Sequence, residues 1–213
     1  PAPYVSAADG DWDDPATWSN SSDQMIPNTL GLDGTTIVDW NIVETTHNIT
    51  SGDRDIKVLA LKNDSGTITI AKPLPELQDE TNSGQGLTIT NYLELDGVID
   101  LVGESQLVQT EGSILDEDSG GYIIRHQQGT ANGFNYNYWS SSVGPVGIDT
   151  GSPTGISSTN ADYTIKDVLK DGTNAASYPY PDITFNPSYS AADSSSPNWP
   201  RTISSYWMYK FYG

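Results

Sequence analysis

Apolar and polar residues alternate with a period of two along most of the chain. The pattern is plain in Ile56-Lys57-Val58-Leu59-Ala60-Leu61-Lys62, Thr67-Ile68-Thr69-Ile70, Leu87-Thr88-Ile89-Thr90 and Tyr92-Leu93-Glu94-Leu95-Asp96. It continues through Val98-Ile99-Asp100-Leu101, Gln106-Leu107-Val108-Gln109, Ser113-Ile114-Leu115 and Tyr122-Ile123-Ile124-Arg125. Such alternation puts successive side chains on opposite faces of a strand. Each run is short, and Gly, Asn, Asp or Ser punctuates most joins. No stretch keeps apolar residues at i, i+3, i+4 and i+7 without an interrupting Gly, Pro or Thr run, so the chain is predicted to be all-β.

Spacing narrows the fold. Strand centres near Leu95, Leu101, Leu107 and Ile114 recur every six or seven residues, closer than the roughly 8–12 residues of an ordinary meander. Three such strands make a rung of roughly 18–21 residues, and stacked rungs bury their inward residues against one another. This logic predicts a right-handed parallel β-helix, a solenoid, with Ile89 near Leu107 and Leu93 near Ile114. Gly97, Gly103 and Gly112 then supply corner conformations that a Cβ disfavours. A β-sandwich of unusually short strands is the alternative.

The pattern divides the chain into three regions. Residues 1–34 form a Trp, Pro and Asp-rich N-terminal cap segment. Residues 35–126 carry the regular rungs, interrupted by a polar insertion from Pro73 to Gly86. Residues 127–213 form an aromatic, Asn, Ser and Pro-rich C-terminal β region, with strand-like islands at Tyr163 to Ile165, Asp182 to Phe185 and Ile203 to Phe211. Solenoids need atypical caps over their end rungs. Trp12 and Trp18, six apart, suit two rings folded over one end.

Charge then excludes whole classes of partner. The chain has 213 residues, with Lys plus Arg at 9 against Asp plus Glu at 28, a formal charge of −19. Nine scattered basic residues make no phosphate-binding patch, so nucleic acid is not expected as a partner, and an anionic membrane surface is disfavoured by the same sign. Aromatics at 10% with dense Val, Ile and Thr support a packed core rather than a disordered acidic chain. There is no cysteine, hence no disulfide and no thiolate site. No apolar run reaches the length of a membrane span, so direct membrane insertion is not expected. The start, Pro1-Ala2-Pro3-Tyr4, has no signal-peptide pattern, and the aromatic run at Tyr209-Lys210-Phe211-Tyr212-Gly213 stops abruptly, which is the expectation for a segment of a longer chain.

Candidate chemistry is sparse. The two histidines, His47 and His126, lie beside neither a Gly-x-Ser-x-Gly elbow nor a metal-ligand spacing, and are expected to be structural. Paired carboxylates carry no weight among so many acids without measured separations. A β-helical polysaccharide lyase or hydrolase is the enzyme alternative. Its anionic substrate conflicts with the charge, and Arg54, Lys57, Lys62, Lys72 and Arg125 show no spacing that gathers them on one face. No catalytic residue and no obligatory cofactor are therefore expected. Calcium is the candidate ion: Asp9, Asp11, Asp13 and Asp14 offer carboxylates at alternate positions, and Asp116-Glu117-Asp118 is a second acidic run. The twelfth position from Asp9 is Asn20, not the bidentate Glu of an EF-hand. Phe134, Tyr136, Tyr138 and Trp139, interleaved with Asn, are candidate glycan-contact residues, with burial over the last rung as the other reading.

Three motifs carry a family resemblance. Gly10-Asp11-Trp12-Asp13-Asp14-Pro15-Ala16-Thr17-Trp18, then Pro27, then Asp33-Gly34-Thr35-Thr36-Ile37-Val38 resembles the G-x-W-x-x-x-x-T-W … P … D-x-V-x-I opening of β-helical segments in large surface proteins of Bacteroidota, with Thr35 where Val is usual. Arg125-His126-Gln127-Gln128-Gly129-Thr130-Ala131-Asn132, followed by Tyr136-Asn137-Tyr138-Trp139-Ser140-Ser141, is similar to their R-x-Q-Q-G-T-A-N … Y-N-Y-W-S-S-P-V stretch, with Ser142 where Pro is usual. Trp207-Met208-Tyr209-Lys210-Phe211 is similar to their W-[IL]-Y-K-[FY] segment. The motifs span most of the chain, although matched residues are a minority. The resemblance implies a piece of a long adhesin-like or gliding-related protein exported by the type IX secretion system to the bacterial cell surface. The C-terminal sorting domain of those proteins is not in this sequence. Its expected role is structural or adhesive, with a carbohydrate-binding module as the alternative. Expected partners are other segments of the same chain, identical copies, or surface glycans.

Overall fold

The structure, a computed structural model, describes residues 3–19, 26–71, 84–127, 165–173, 179–190 and 200–209. The chain forms two compact units, one of Pro1–Leu74 with Gln78–Asn137 and one of Pro75–Leu77 with Tyr138–Gly213. It is all-β in character, and its ladders are parallel.

In the first unit the strands are β1 (Tyr4–Val5), β2 (Gly10–Asp11), β3 (Ile42–Thr45), β4 (Ile49–Thr50), β5 (Ile56–Asn63) and β6 (Thr67–Ile70). They continue with β7 (Gly86–Leu95), β8 (Val98–Leu101), β9 (Gln106–Gln109), β10 (Ile114–Leu115) and β11 (Tyr122–Arg125). From β1 to β9 successive strands alternate between two sheets, and β10 joins the same sheet as β9. One runs β1-β3-β5-β7-β10 with β9 also on β7, and the other runs β2-β4-β6-β8-β11. Among the described residues, antiparallel pairing is confined to the isolated bridges Ser6–Trp18, Leu30–Ile37 and Lys170–Asp182.

Register explains how this pattern makes a core. Val43 pairs with Leu61, Leu61 with Leu93, and Leu93 with Leu115. In the other sheet Ile49 pairs with Ile68, Ile68 with Ile99, and Ile99 with Ile123. Both columns enter one buried cluster, with Leu115 and Ile123 packed at its margin. Full burial of each such side chain contributes about 1.5–3 kcal/mol, so the repeated inward column outweighs any single contact. Because the side-chain period is two, a slip of one residue would turn a whole column outward.

The step from one strand to its neighbour is 18 residues for Ile42 to Ala60 and 20 for Leu87 to Leu107. It is 22 for Leu93 to Leu115 and 24 for Val98 to Tyr122. Longer steps of 39 (Tyr4 to Val43) and 31 (Thr67 to Val98) enclose residues 19–40 and 71–85. Two expected neighbours are corrected. Leu107 pairs with Leu87 rather than Ile89, and Leu93 meets Leu115, while Ile114 pairs with Tyr92. The cause lies in β7. It meets β9 with its first half and β10 with its second, and its register against β5 slips between Val58 and Ala60, which adds a residue at the bend. Equal-length rungs counted along the sequence miss that residue.

Of the three expected corner glycines, Gly103 and Gly112 have positive φ, at 62° and 85°, whereas Gly97 does not. Gly97 is required by closeness instead, since a Cβ there would lie 2.6 Å from the Gly66 carbonyl oxygen.

The second unit contains a short helix, α1 (Ile165–Val168), and two parallel strands, β12 (Thr184–Asn186) and β13 (Thr202–Ser204). Ile165 therefore opens a helical turn rather than ending a strand. The strand expected from Ile203 to Phe211 stops at Ser204, where a 3-10 turn, Ser205–Trp207, closes with the Met208 N–H donating to the Ser205 carbonyl at 3.2 Å. No helix of the described residues is long and apolar enough to cross a membrane.

Candidate functional site

The outward faces of β3, β5 and β7 bring charges together. Parallel register aligns Glu44, Lys62 and Glu94. Lys62 Nζ lies 2.9 Å from Glu94 Oε1 and 3.2 Å from Asp64 Oδ1. Hydrogen bonds to Glu94, then to Asp64, hold its ammonium well above the usual lysine range. Two residues farther on, Asp64 lies beside Asp96. The carboxylates of Asp64, Glu94 and Asp96 fall within 4.8 Å of one another. Tyr92 donates its hydroxyl hydrogen to Asp116, which with burial pushes the phenol up to about 12. Asp116 is in turn held below its ordinary value by that bond and by the Asp118 N–H. Lys62 is the cation that Glu94 and Asp64 share in this strip.

The acidic run near the N-terminus has a different arrangement. Asp9 accepts from the Asn48 backbone N–H at 2.8 Å and from its side-chain amide at 3.1 Å, which lowers its pKa. Asp13 pairs with Arg54. Asp14 caps the 3-10 turn Pro15–Thr17 by accepting from the Ala16 N–H. The Asp11 carbonyl accepts from Thr17 Oγ1 at 2.8 Å. The side chains of Asp9, Asp13 and Asp14 thus go to three different partners, and the three-carboxylate group of the described residues is Asp64, Glu94 and Asp96. Trp12 and Trp18 are fully buried, their rings 5.0 Å apart and edge-to-face at 71°, inside the same cluster as the ladder residues.

Histidine contacts are short but separate. His47 Nδ1 lies 2.7 Å from Ser6 Oγ, and that Ser6 oxygen also accepts from the Thr46 N–H at 3.0 Å. The pair clamps β1 to the turn after β3. His126 Nε2 lies 2.7 Å from Asp100 Oδ1 across the β8–β11 ladder. A nucleophilic triad needs serine, base and carboxylate in one chain of contacts. Here the serine and the carboxylate are bound to different histidines.

Of the basic residues considered for an anionic substrate, Arg54 and Lys57 pair with Asp13 and Asp39, Lys62 with Glu94, and Arg125 donates to the Ser105 carbonyl. Lys72 lies outside the described residues, as do the glycan-contact candidates Phe134, Tyr136, Tyr138 and Trp139.

Two exposed apolar features were not singled out from sequence. A tight loop carries Leu32, 99% exposed, with Leu30, Ile37 and Trp40 about half exposed. The Asp33 carboxylate secures it by accepting from the Thr35 and Thr36 N–H groups and the Thr36 hydroxyl, which holds its pKa well below the usual carboxylate range. In the second unit, Tyr189, Tyr206 and Trp207 form an exposed ring cluster. Period-two reading does not reveal it, since the rings lie 17 and 18 residues apart in sequence. The chain matches no protein-family model, no curated protein and no solved structure with which it was compared.

Proposed function

We propose that this chain is a non-catalytic structural or adhesive segment of a large secreted cell-surface protein. Its first unit is read as a right-handed parallel β-helix. The observation that carries this reading is the unbroken inward stack through alternating parallel ladders, Val43-Leu61-Leu93-Leu115 beside Ile49-Ile68-Ile99-Ile123. Antiparallel sandwich sheets do not produce such ladders. A solenoid of this kind buries its apolar face only by stacking on its neighbours, which makes it a stiff spacer that extends and displays. The ionisable groups support the same role, because the carboxylates and cations described above are spent on bracing turns and neighbouring strands. The resemblance to Bacteroidota surface proteins is what supports reading such a segment as cargo of type IX secretion that acts outside the cell.

Single-molecule pulling on a tandem array of the chain tests the reading. A stacked ladder is expected to resist extension and to unravel in steps of about one rung, roughly 70 Å for 20 residues at about 3.5 Å each. Collapse of the first unit at low force, or release of sugar ends from neutral or anionic polysaccharides by the purified chain, would overturn it.

A further inference from the structure

The second unit carries a cluster of rings that its own packing does not consume. Strands β12 and β13 run parallel, with Thr184 opposite Thr202 and Asn186 opposite Ser204. Parallel pairing delivers the segments that follow both strands to the same end of the ladder. Tyr189 follows β12 there, and Tyr206 and Trp207 follow β13. Tyr206 lies edge-to-face with both neighbours, its ring centroid 6.3 Å from Tyr189 and 4.9 Å from Trp207. All three rings nevertheless stay open to solvent, at 69% for Tyr189, 58% for Tyr206 and 54% for Trp207.

Exposed rings of this kind are ordinarily mobile, but these are held. The Trp207 indole N–H donates to the Tyr189 carbonyl at 3.0 Å, and Ser204 Oγ donates to the Ser188 carbonyl at 2.7 Å. The Asn186 side-chain oxygen accepts from the Ser188 N–H at 3.0 Å, which shapes the turn before Tyr189. At the head of β13, the buried Asp171 carboxylate accepts from the Arg201 N–H at 2.7 Å. Fixing apolar rings in place before a ligand arrives lowers the ordering cost of binding.

The surroundings decide which ligand suits them. Residues 184–190 and 202–209 contain no Asp, Glu, Lys, Arg or His, in a chain that is 17% charged. Hydroxyl groups take their place, with Ser188 Oγ and Ser190 Oγ 3.3 Å apart beside Tyr189. Within these two described segments an anionic ligand finds no cation and a cationic ligand no carboxylate. A neutral sugar presents C–H groups that pack on ring faces and hydroxyls that pair with Ser and amide groups. A proline-rich peptide also packs on aromatic grooves. The Trp207 N–H is already bound to the Tyr189 carbonyl, which leaves hydroxyl donors for a peptide's backbone carbonyls, so polyproline serves as the competitor in the test.

We infer that Tyr189, Tyr206 and Trp207 form a binding site for neutral polysaccharide. The inference concerns the second unit alone and stands whether or not the first unit serves as a spacer.

Affinity electrophoresis of the full chain tests it, in gels containing hydroxyethylcellulose, xylan, galactomannan or soluble starch, with alginate as the anionic control and a ten-residue polyproline peptide as competitor. At least one neutral polymer is expected to retard the chain. Trp207→Ala and Tyr206→Ala are each expected to weaken that retardation about tenfold or more, the equivalent of ~1.4 kcal/mol. Both rings are exposed, so thermal melts of the variants serve to show that the fold survives. An exposed variant of the first unit, Leu32→Ser, should bind like the parent. Absence of retardation by every neutral polymer overturns the inference. So does undiminished binding by the Tyr206→Ala/Trp207→Ala double variant with an unchanged melt, or displacement by polyproline at concentrations where sugars fail.

Discussion

Gly121 lies directly against the carbonyl of Gly97: a Cβ on Gly121 would come within 2.2 Å of that oxygen. The same relationship holds one strand pair earlier, where Gly97 abuts the Gly66 carbonyl, and again where Gly66 abuts the His47 carbonyl. Each turn carbonyl also accepts from the next strand, Gly66 from the Val98 N–H at 2.9 Å and Gly97 from the Tyr122 N–H at 3.2 Å. The column thus couples backbone pairing to the absence of a side chain.

Gly97→Ala and Gly121→Ala are therefore expected to destabilise the first unit by about 1–3 kcal/mol or more, because the nearest obstructing atom at each is a backbone carbonyl oxygen that cannot swing aside. Gly112→Ala is a matched control. No heavy atom lies within 4 Å of its added Cβ, so only the strain of its positive φ remains. Urea denaturation of the three variants checks the ranking, with Gly112→Ala the mildest.

Trp18 donates its indole N–H to the Trp12 carbonyl at 2.9 Å, and Trp12 donates to the Pro27 carbonyl at 2.8 Å. Replacing Trp18 with Ala removes a fully buried ring and leaves that carbonyl without its partner. The expected loss is about 3–5 kcal/mol, read from the denaturation midpoint. Trp18→Phe keeps most of the apolar volume but not the donor, and should fall between parent and Ala.

Short strands were legible in the sequence because a half-buried strand has a period of two, and each quoted run from Ile56 to Arg125 lies on β5 through β11. Runs at Leu87 and Tyr92 merge into the single strand β7, however, and alternation alone does not reveal its bend or the slip beside Val58. The carboxylates that meet were equally hidden. Asp64 and Asp96 are 32 residues apart and become neighbours only through the pairing of Asn63 with Leu95. Asp9, Asp13 and Asp14 are close in sequence, yet their side chains turn to Asn48, Arg54 and Ala16. Sequence proximity signals a shared site only when the backbone between the residues keeps them on one face, and strand β2 followed by the turn in which the Asp14 N–H donates to the Asp11 carbonyl does not.

The Lys62 ammonium pairs with Asp64 and Glu94, two of the three carboxylates that could hold a divalent cation, and already supplies a positive charge to both. Calcium is therefore expected to raise the melting temperature of the parent no more than magnesium at equal ionic strength, which is screening alone. Lys62→Met removes the cation and leaves the carboxylates repelling one another. That variant should melt lower, and millimolar calcium should recover part of the loss by mass action. Equal calcium responses in parent and variant would show that Lys62 does not guard the cluster.

Asp171 is the buried brace of the second unit. Its carboxylate accepts from the Thr173 N–H at 2.9 Å as well as from the Arg201 N–H, and these bonds hold its pKa below the ordinary value although burial opposes them. A depressed carboxylate pKa gives stability that is present above the unfolded value and lost as pH falls through the folded one. Asp171→Ala removes the charged acceptor of two part-buried hydrogen bonds and is expected to cost about 1.5–3 kcal/mol. Hydrogen exchange of the Arg201 and Thr173 amides in parent and variant, between neutral pH and pH 3, checks both the loss and its acid dependence.

Tyr92 gives the opposite pH signature. Its hydrogen bond to Asp116, burial, and the charges of Asp116 and Glu94 all favour the neutral phenol, raising its pKa from 10.0 to about 12. An unfolded tyrosine ionises near 10, so between pH 10 and about 12 the unfolded chain has lost a proton that the folded chain keeps. Folding therefore carries a stabilising contribution that is complete below pH 10 and disappears as pH rises towards 12. Ultraviolet titration should show one phenol ionising later than the exposed tyrosines, and Tyr92→Phe should abolish that late step. The same substitution removes the bond that most lowers Asp116, so the Asp116 carboxyl should titrate closer to its ordinary value, measured by carboxyl-carbon NMR. A Tyr92→Phe variant that leaves both titrations unchanged would show that the phenol and the carboxylate are not paired in solution.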